Sequence, residues 1–140
     1  MKKILVPIDG SKYSDLAMAK AKQLANAFGS SVVLLHVNDF HQHMFNYNME
    51  LEEQFLGRFD QIANEILEEG ARYFSDFGDR VEIVKLEGNV SSKIIEYANS
   101  NDFDLVVMGS HGRGAIQNML MGGVANKVVH HVKVSVLIVK

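Results

Sequence analysis

Five short apolar runs, each separated from the next by a stretch with helical periodicity, most constrain what this chain can fold into. They cover residues 4–8, 31–37, 81–86, 105–108 and 134–139. The runs beginning at Ile4 and Leu105 carry no polar residue, which suits strands buried on both faces. The run at 81–86 mixes apolar Val81, Ile83 and Leu86 with polar Glu82 and Lys85, as an edge strand does. Strands that alternate with helices predict an α/β fold, a parallel sheet with helices on both faces. Right-handed crossovers, with the two most apolar strands at the centre, predict the order 3-2-1-4-5. The switch point then falls between the first and fourth strands, where ligands of open α/β sheets sit beyond the carboxyl ends.

A glycine motif lies at that point. After the fourth run come Gly109, Ser110, His111, Gly112, Arg113 and Gly114, and further on Gly122 and Gly123 open a helical stretch. A strand, a glycine-rich loop and a helix N-terminus together suit an anion such as a phosphate. Glycines admit close backbone approach, and the first N–H groups of a helix have no internal partner. The same glycines can also merely shape a surface loop. Pro7, Ile8, Asp9 and Gly10 end the first run and face this motif. Pro7 lacks an N–H and marks where strand pairing stops. Asp9 is either an acceptor for a ribose hydroxyl or metal-bound water, or a turn former bonded to the N–H of Ser11 or Lys12. Arg113 is either a charge beside the phosphates or a solvated loop residue. His111 is weak evidence for polarising a phosphate. Val37, ending the second run, offers an apolar wall for a base, while His36 reads as a core histidine. No G-x-x-x-x-G-K-[ST], no G-x-G-x-x-G after the first run and no G-x-S-x-G elbow is present.

Helical periodicity predicts a helix over 12–28 closed by Gly29, with Ala17, Ala21, Leu24, Ala25 and Phe28 on one face. Leu51, Phe55, Phe59, Ile62, Ile66, Tyr73 and Phe77 predict a long amphipathic helix over 49–77, weakened by Gly57 and Gly70 and with its aromatic stripe in the core. Ser91 or Ser92 should cap a helix to about Asn99, with Ile94, Ile95 and Ala98 inward. Val124, Val128, Val129 and Val132 mark the last helix, to about His131. The aromatic segment 38–48 reads as a surface connection or a partner-binding lid. Its His41 and His43 lack a carboxylate at ligand spacing, so no metal site is expected.

The 140 residues suffice for one domain, 1–140, with one substantial core. A net charge of −3 without a basic block argues against nucleic acid. The absence of cysteine excludes disulfides and thiol chemistry. No signal peptide or membrane-spanning stretch is evident, so a cytoplasmic location is expected.

Taken together, residues 4–11 (ILVPIDGS), 35–37 (LHV), 104–114 (DLVVMGSHGRG), 122–129 and 136–139 (VLIV) resemble the universal stress protein family over the whole length. The resemblance implies the adenine nucleotide α-hydrolase-like fold and an ATP-binding pattern G-x2-G-x9-G-[ST]. Gly109, Gly112 and Gly122 match that pattern, but Gly123 replaces the hydroxyl residue. Losing one hydrogen bond to a charged group, about 1 kcal/mol or somewhat more, predicts ATP binding weaker by up to roughly tenfold rather than abolished. Pro7, Asp9 and Val37 would flank the nucleoside, and Ile8 joins them as a candidate from its place at the end of the first run. Met108, Gly109, Gly112, Gly122, Gly123, Val124 and Ala125 would form the loop and phosphate side, with ATP bound with or without Mg²⁺; His111 and Arg113 are further candidates for the site from their place in the loop. A homodimer through strand 134–139 is also implied, since an apolar edge strand invites pairing. The function expected is a nucleotide-binding regulator of stress responses with an unidentified protein partner. A module that binds no ATP is the alternative. No catalytic residue stands out, and at most slow ATP hydrolysis is expected.

Overall fold

The computed structural model describes residues 1–39, 49–113 and 120–140, with side chains of the long second helix described from residue 53. Gly114 and the aromatic and histidine-bearing stretch 40–48 lie outside the described residues. The elements run β1 (Lys3–Pro7), α1 (Lys12–Phe28), β2 (Ser31–Asn38), α2 (Met49–Tyr73), a 3-10 segment (Ser75–Arg80), β3 (Val81–Glu87), α3 (Val90–Ser100), β4 (Leu105–Gly109), α4 (Gly123–His131) and β5 (Ser135–Val139). All strand pairs are parallel, in the order β3-β2-β1-β4-β5. The order is therefore the one expected from the apolar runs.

The two faces of the sheet carry two cores. Ile4, Val6, Val32, Leu34 and Val107 pack against Ala17, Ala21 and Ala25 of α1 and Ile66 and Leu67 of α2. Leu5, Val33, Leu35, Val106 and Met108 pack against Ile94 and Ala98 of α3 and Ala125 and Val128 of α4. The alanine face of α1 lets that helix lie close to the sheet. Gly70 does the same for α2, because a Cβ there would sit 2.9 Å from Leu34 Cδ1 and 3.1 Å from Ile8 Cδ1.

Several local expectations are corrected. The long helix ends at Tyr73 rather than Phe77, because Phe74 and Phe77 turn into the core through a 3-10 segment where Gly78 has φ 60°. The cap of α3 is Asn89, whose side chain accepts from Ser92 N–H at 3.1 Å, and not Ser91 or Ser92. Phe28 is exposed at the end of α1, and Val129 lies on the outer side of α4. On β3 Val81 packs against one core and Val84 and Leu86 against the other, while Ile83 is exposed. Gly29 closes α1 as expected, in the left-handed region.

Candidate functional site

The central ladder opens at its carboxyl end. β1 stays in register with β2 to Pro7↔Leu35, and β4 with β5 to Gly109↔Val139, yet the β1–β4 register ends at Leu5↔Val106. Ile8 N–H donates to Leu35 O at 2.8 Å, on the β2 side. Successive N–H groups of a strand alternate sides, so residue 7 would address β4, and Pro7 has no N–H to offer. The proline thus ends pairing with β4 alone. His36 secures the same strand end, its Nδ1 lying 2.8 Å from Ile8 O. That contact gives the histidine the structural role expected for it.

Beyond the parted strands lies a cavity of about 400 Å³. Asp9 closes its floor by joining two loops. Ser11 N–H donates to Oδ1 at 2.9 Å and Arg113 N–H donates to Oδ2 at 3.0 Å. Asp9 is therefore the turn former of one reading, and it also ties the β1–α1 loop to the glycine loop. The Arg113 guanidinium folds over Gly10, within 2.7 Å of where a Cβ would stand there. Gly10 has φ 80°, so a side chain is excluded on two counts.

The motif glycines serve different purposes. At Gly109 a Cβ would fall 2.7 Å from Tyr13 Cβ and 2.8 Å from the Tyr13 carbonyl group, so this residue lets α1 cross β4. A Cβ at Gly112 would fall 2.6 Å from Asp9 Oδ2. At Gly122 it would stand 3.2 Å from Ser110 O, the atom that accepts the Gly122 N–H at 2.7 Å. Among the described motif glycines only Gly123 faces open space, with nothing within 4 Å. Gly122 is also the N-cap of α4 and supplies no side-chain cap. The first N–H groups of that helix are left for an outside acceptor.

A family model for the universal stress proteins matches residues 1–140. The chain belongs to the universal stress protein family. One relative, a universal stress protein of Methanocaldococcus jannaschii, is 30% identical over 99% of this chain and 82% of its own length. A second protein of that organism has a solved structure that is 27% identical, with TM-score 0.84 over 99% of this chain and 95% of that one. The universal stress protein UspA of Lactobacillus plantarum superposes with TM-score 0.85 at 21% identity, over 99% and 97% of the two chains. Two other solved members are complexes. One holds cAMP (24% identity, TM-score 0.64, 99% and 95% covered), and one from Archaeoglobus fulgidus holds dAMP (19%, 0.71, 100% and 98%). These likenesses support the adenine nucleotide α-hydrolase-like fold for this universal stress protein.

Of the expected site residues, Pro7, Ile8, Asp9, Val37, Met108, Gly109, Gly112, Arg113, Val124 and Ala125 line the cavity. His111, Gly122 and Gly123 are not among its lining residues. His111 Nδ1 instead lies 2.9 Å from Ser110 Oγ, and its ring sits 5.2 Å from that of Tyr13. Sequence reasoning missed the apolar roof, formed by Phe59, Ile62 and Ile66 of α2 with Val90 and Ile94 of α3. The signal was the i, i+3, i+7 spacing of the α2 stripe, which serves the core at one end and the cavity at the other. Asn38 and Asp39 complete the rim beside α2. Among the described residues no group of three His, Cys, Asp or Glu side chains could hold a metal ion, and no helix is long and apolar enough to cross a membrane.

Proposed function

We propose that this universal stress protein binds an adenine nucleotide in the cavity between β1 and β4 and acts as a ligand-responsive regulator. ATP, with or without Mg²⁺, is the ligand the family pattern implies. The observation that carries the reading is the junction of Asp9 with the Arg113 N–H at 3.0 Å, which brings the two distant sequence segments to one cavity. In this reading Val37, Phe59, Ile62 and Ile94 enclose the base, the β1 end with Asp9 flanks the ribose, and Arg113 with the first turn of α4 takes the phosphates. The cAMP and dAMP complexes of two relatives support an adenine nucleotide as the ligand class.

The reading includes a homodimer. β5 has a neighbour on one side only, and its Val136, Leu137, Ile138 and Val139 are half-exposed. Antiparallel pairing with a second copy would cover that edge by two-fold symmetry.

Mass spectrometry of denatured protein purified from cells tests the ligand, and sedimentation at micromolar concentration tests the dimer. Adenine nucleotide released in near-stoichiometric amount supports the reading. No release, together with no calorimetric binding at millimolar ATP, would instead favour a module that works through protein contacts alone.

A further inference from the structure

The roof of the cavity is held in place from outside it. Successive residues of a helix diverge by about 100°, and residues three or four apart share a face. Phe59, Ile62 and Ile66 of α2 form the stripe that lines the cavity. Asp60 and Asn64 form a second stripe beside it and stand outside the lining. This second stripe meets the ends of β2 and β3. Asn38 Nδ2 donates to Asp60 Oδ1 at 3.3 Å, and Lys85 Nζ donates to Asn64 Oδ1 at 3.3 Å. Lys85 Nζ also lies 3.7 Å from Asp60 Oδ1.

The strand ends that receive α2 are themselves fixed. Lys85 stands in register with His36 and Glu87 with Asn38, and Gly88 N–H donates to Asn38 O at 3.0 Å. Asn38 is buried, lines the cavity and reaches Asp60, so it connects the site to the outer stripe. A carboxylate only accepts, so Asp60 also fixes which way round the Asn38 amide stands. Apolar contacts resist separation but are non-directional, whereas hydrogen bonds fix direction. Polar contacts at Asp60 and Asn64, one turn apart, therefore set the roll of α2 about its axis. That roll sets the angle at which Phe59 and Ile62, both half-buried, face the cavity.

Resting on the nucleotide reading above, we infer that Asp60 is a positioning residue for the site: with Lys85 it holds Asn38 and the α2 roof against the base. Titration calorimetry of the full chain with adenosine and ATP tests it. Adenosine carries the base and is neutral, so removing a carboxylate does not alter its binding through charge. Asp60→Ala should weaken adenosine by about fivefold and speed amide exchange over residues 57–62. The side chains of Asp60 and Lys85 are 42% and 36% exposed, which keeps the effect modest. Asp60→Asn retains an acceptor for Asn38 and should bring adenosine binding back to within about twofold of wild type. Unchanged adenosine affinity in Asp60→Ala, whatever its urea midpoint, overturns the inference, since a purely structural role lowers stability and leaves binding alone. An equal loss in Asp60→Asn would show that the acceptor is not what matters, and overturns it as well. If circular dichroism shows Asp60→Ala unfolded, Lys85→Met takes its place, with a loss of about threefold expected and no loss refuting the inference. Wild-type protein that binds neither adenosine nor ATP at millimolar concentration would sink the nucleotide reading and this inference with it.

Discussion

Gly112→Ala tests the junction on which the site is built. The backbone at Gly112 is not in the left-handed region, so alanine meets no conformational barrier there. The obstacle is Asp9 Oδ2, which must retreat from 2.6 Å to at least 3.4 Å from the new Cβ. That retreat lengthens the Arg113 N–H bond, now 3.0 Å, out of hydrogen-bonding range. A hydrogen bond to a charged acceptor contributes about 1.5–3 kcal/mol, and the partial exposure of Asp9 puts this one near about 1.5 kcal/mol. With a urea m-value of about 2 kcal/mol/M, the unfolding midpoint should fall by about 0.7 M. The chain has no tryptophan, so far-UV circular dichroism is the probe. The decisive comparison is the same substitution in an Asp9→Ala background. With no carboxylate to displace, Gly112→Ala should then cost less than about 0.5 kcal/mol, the usual limit of additivity. An equal fall of the midpoint in both backgrounds would refute the proposed contact.

Gly109→Ala should destabilise by about 1–3 kcal/mol in the same urea assay, because the atoms it meets are the Cβ and carbonyl group of Tyr13, which move only with the α1 backbone. In α2, Gly57→Ala should raise stability by about 0.5–1 kcal/mol, since Gly57 is exposed with nothing within 4 Å, whereas Gly70→Ala should lower the urea midpoint by crowding Leu34 and Ile8. Asp104 accepts from Lys2 and Lys3 N–H at 2.7 and 2.9 Å, which holds its carboxyl below the ordinary 3.8. The unfolded chain then binds the more protons, so this contribution is present above pH 3.8 and is lost as pH falls through the lower folded value. The difference in urea midpoint between wild type and Asp104→Asn should accordingly be largest at neutral pH and shrink below 3.8. Gly123→Ser should tighten nucleotide binding without loss of stability, because its Cβ enters open space, and a weaker complex would refute the account of that position.

The strand order was legible because the Ile4 and Leu105 runs are apolar throughout and the runs alternate with helices. Both depend on hydrophobic patterning, which a sequence displays directly. The end of α2 was not legible. Tyr73 and Phe77 continue the helical spacing, and only the fit of Phe74 and Phe77 into the core against α1 turns the chain at Ser75. The cap of α3 was misplaced by two or three residues because Asn89, Ser91 and Ser92 are all capping types. Geometry chooses Asn89. The roof of the cavity escaped notice for a related reason. A stripe such as Phe59, Ile62 and Ile66 reads as core whether it meets the sheet or an open cavity.

The glycine motif shows where spacing stops being informative. Read along the chain, Gly109, Gly112, Gly122 and Gly123 look like one phosphate cradle. In space, Gly109 answers to Tyr13, Gly112 to Asp9 and Gly122 to the Ser110 carbonyl, all contacts within the protein. Three of the four are therefore needed to build the notch whether or not anything binds there, and substitutions at them report on folding before they report on a ligand. Gly123 differs, because packing does not demand a glycine there. A Cβ at that position would meet no atom within 4 Å, so crowding at the Cβ does not explain the absence of a side chain. What the missing hydroxyl changes is the donor set offered to a phosphate. Ligand preference, more than stability, is where this chain should depart from relatives that carry Ser or Thr there.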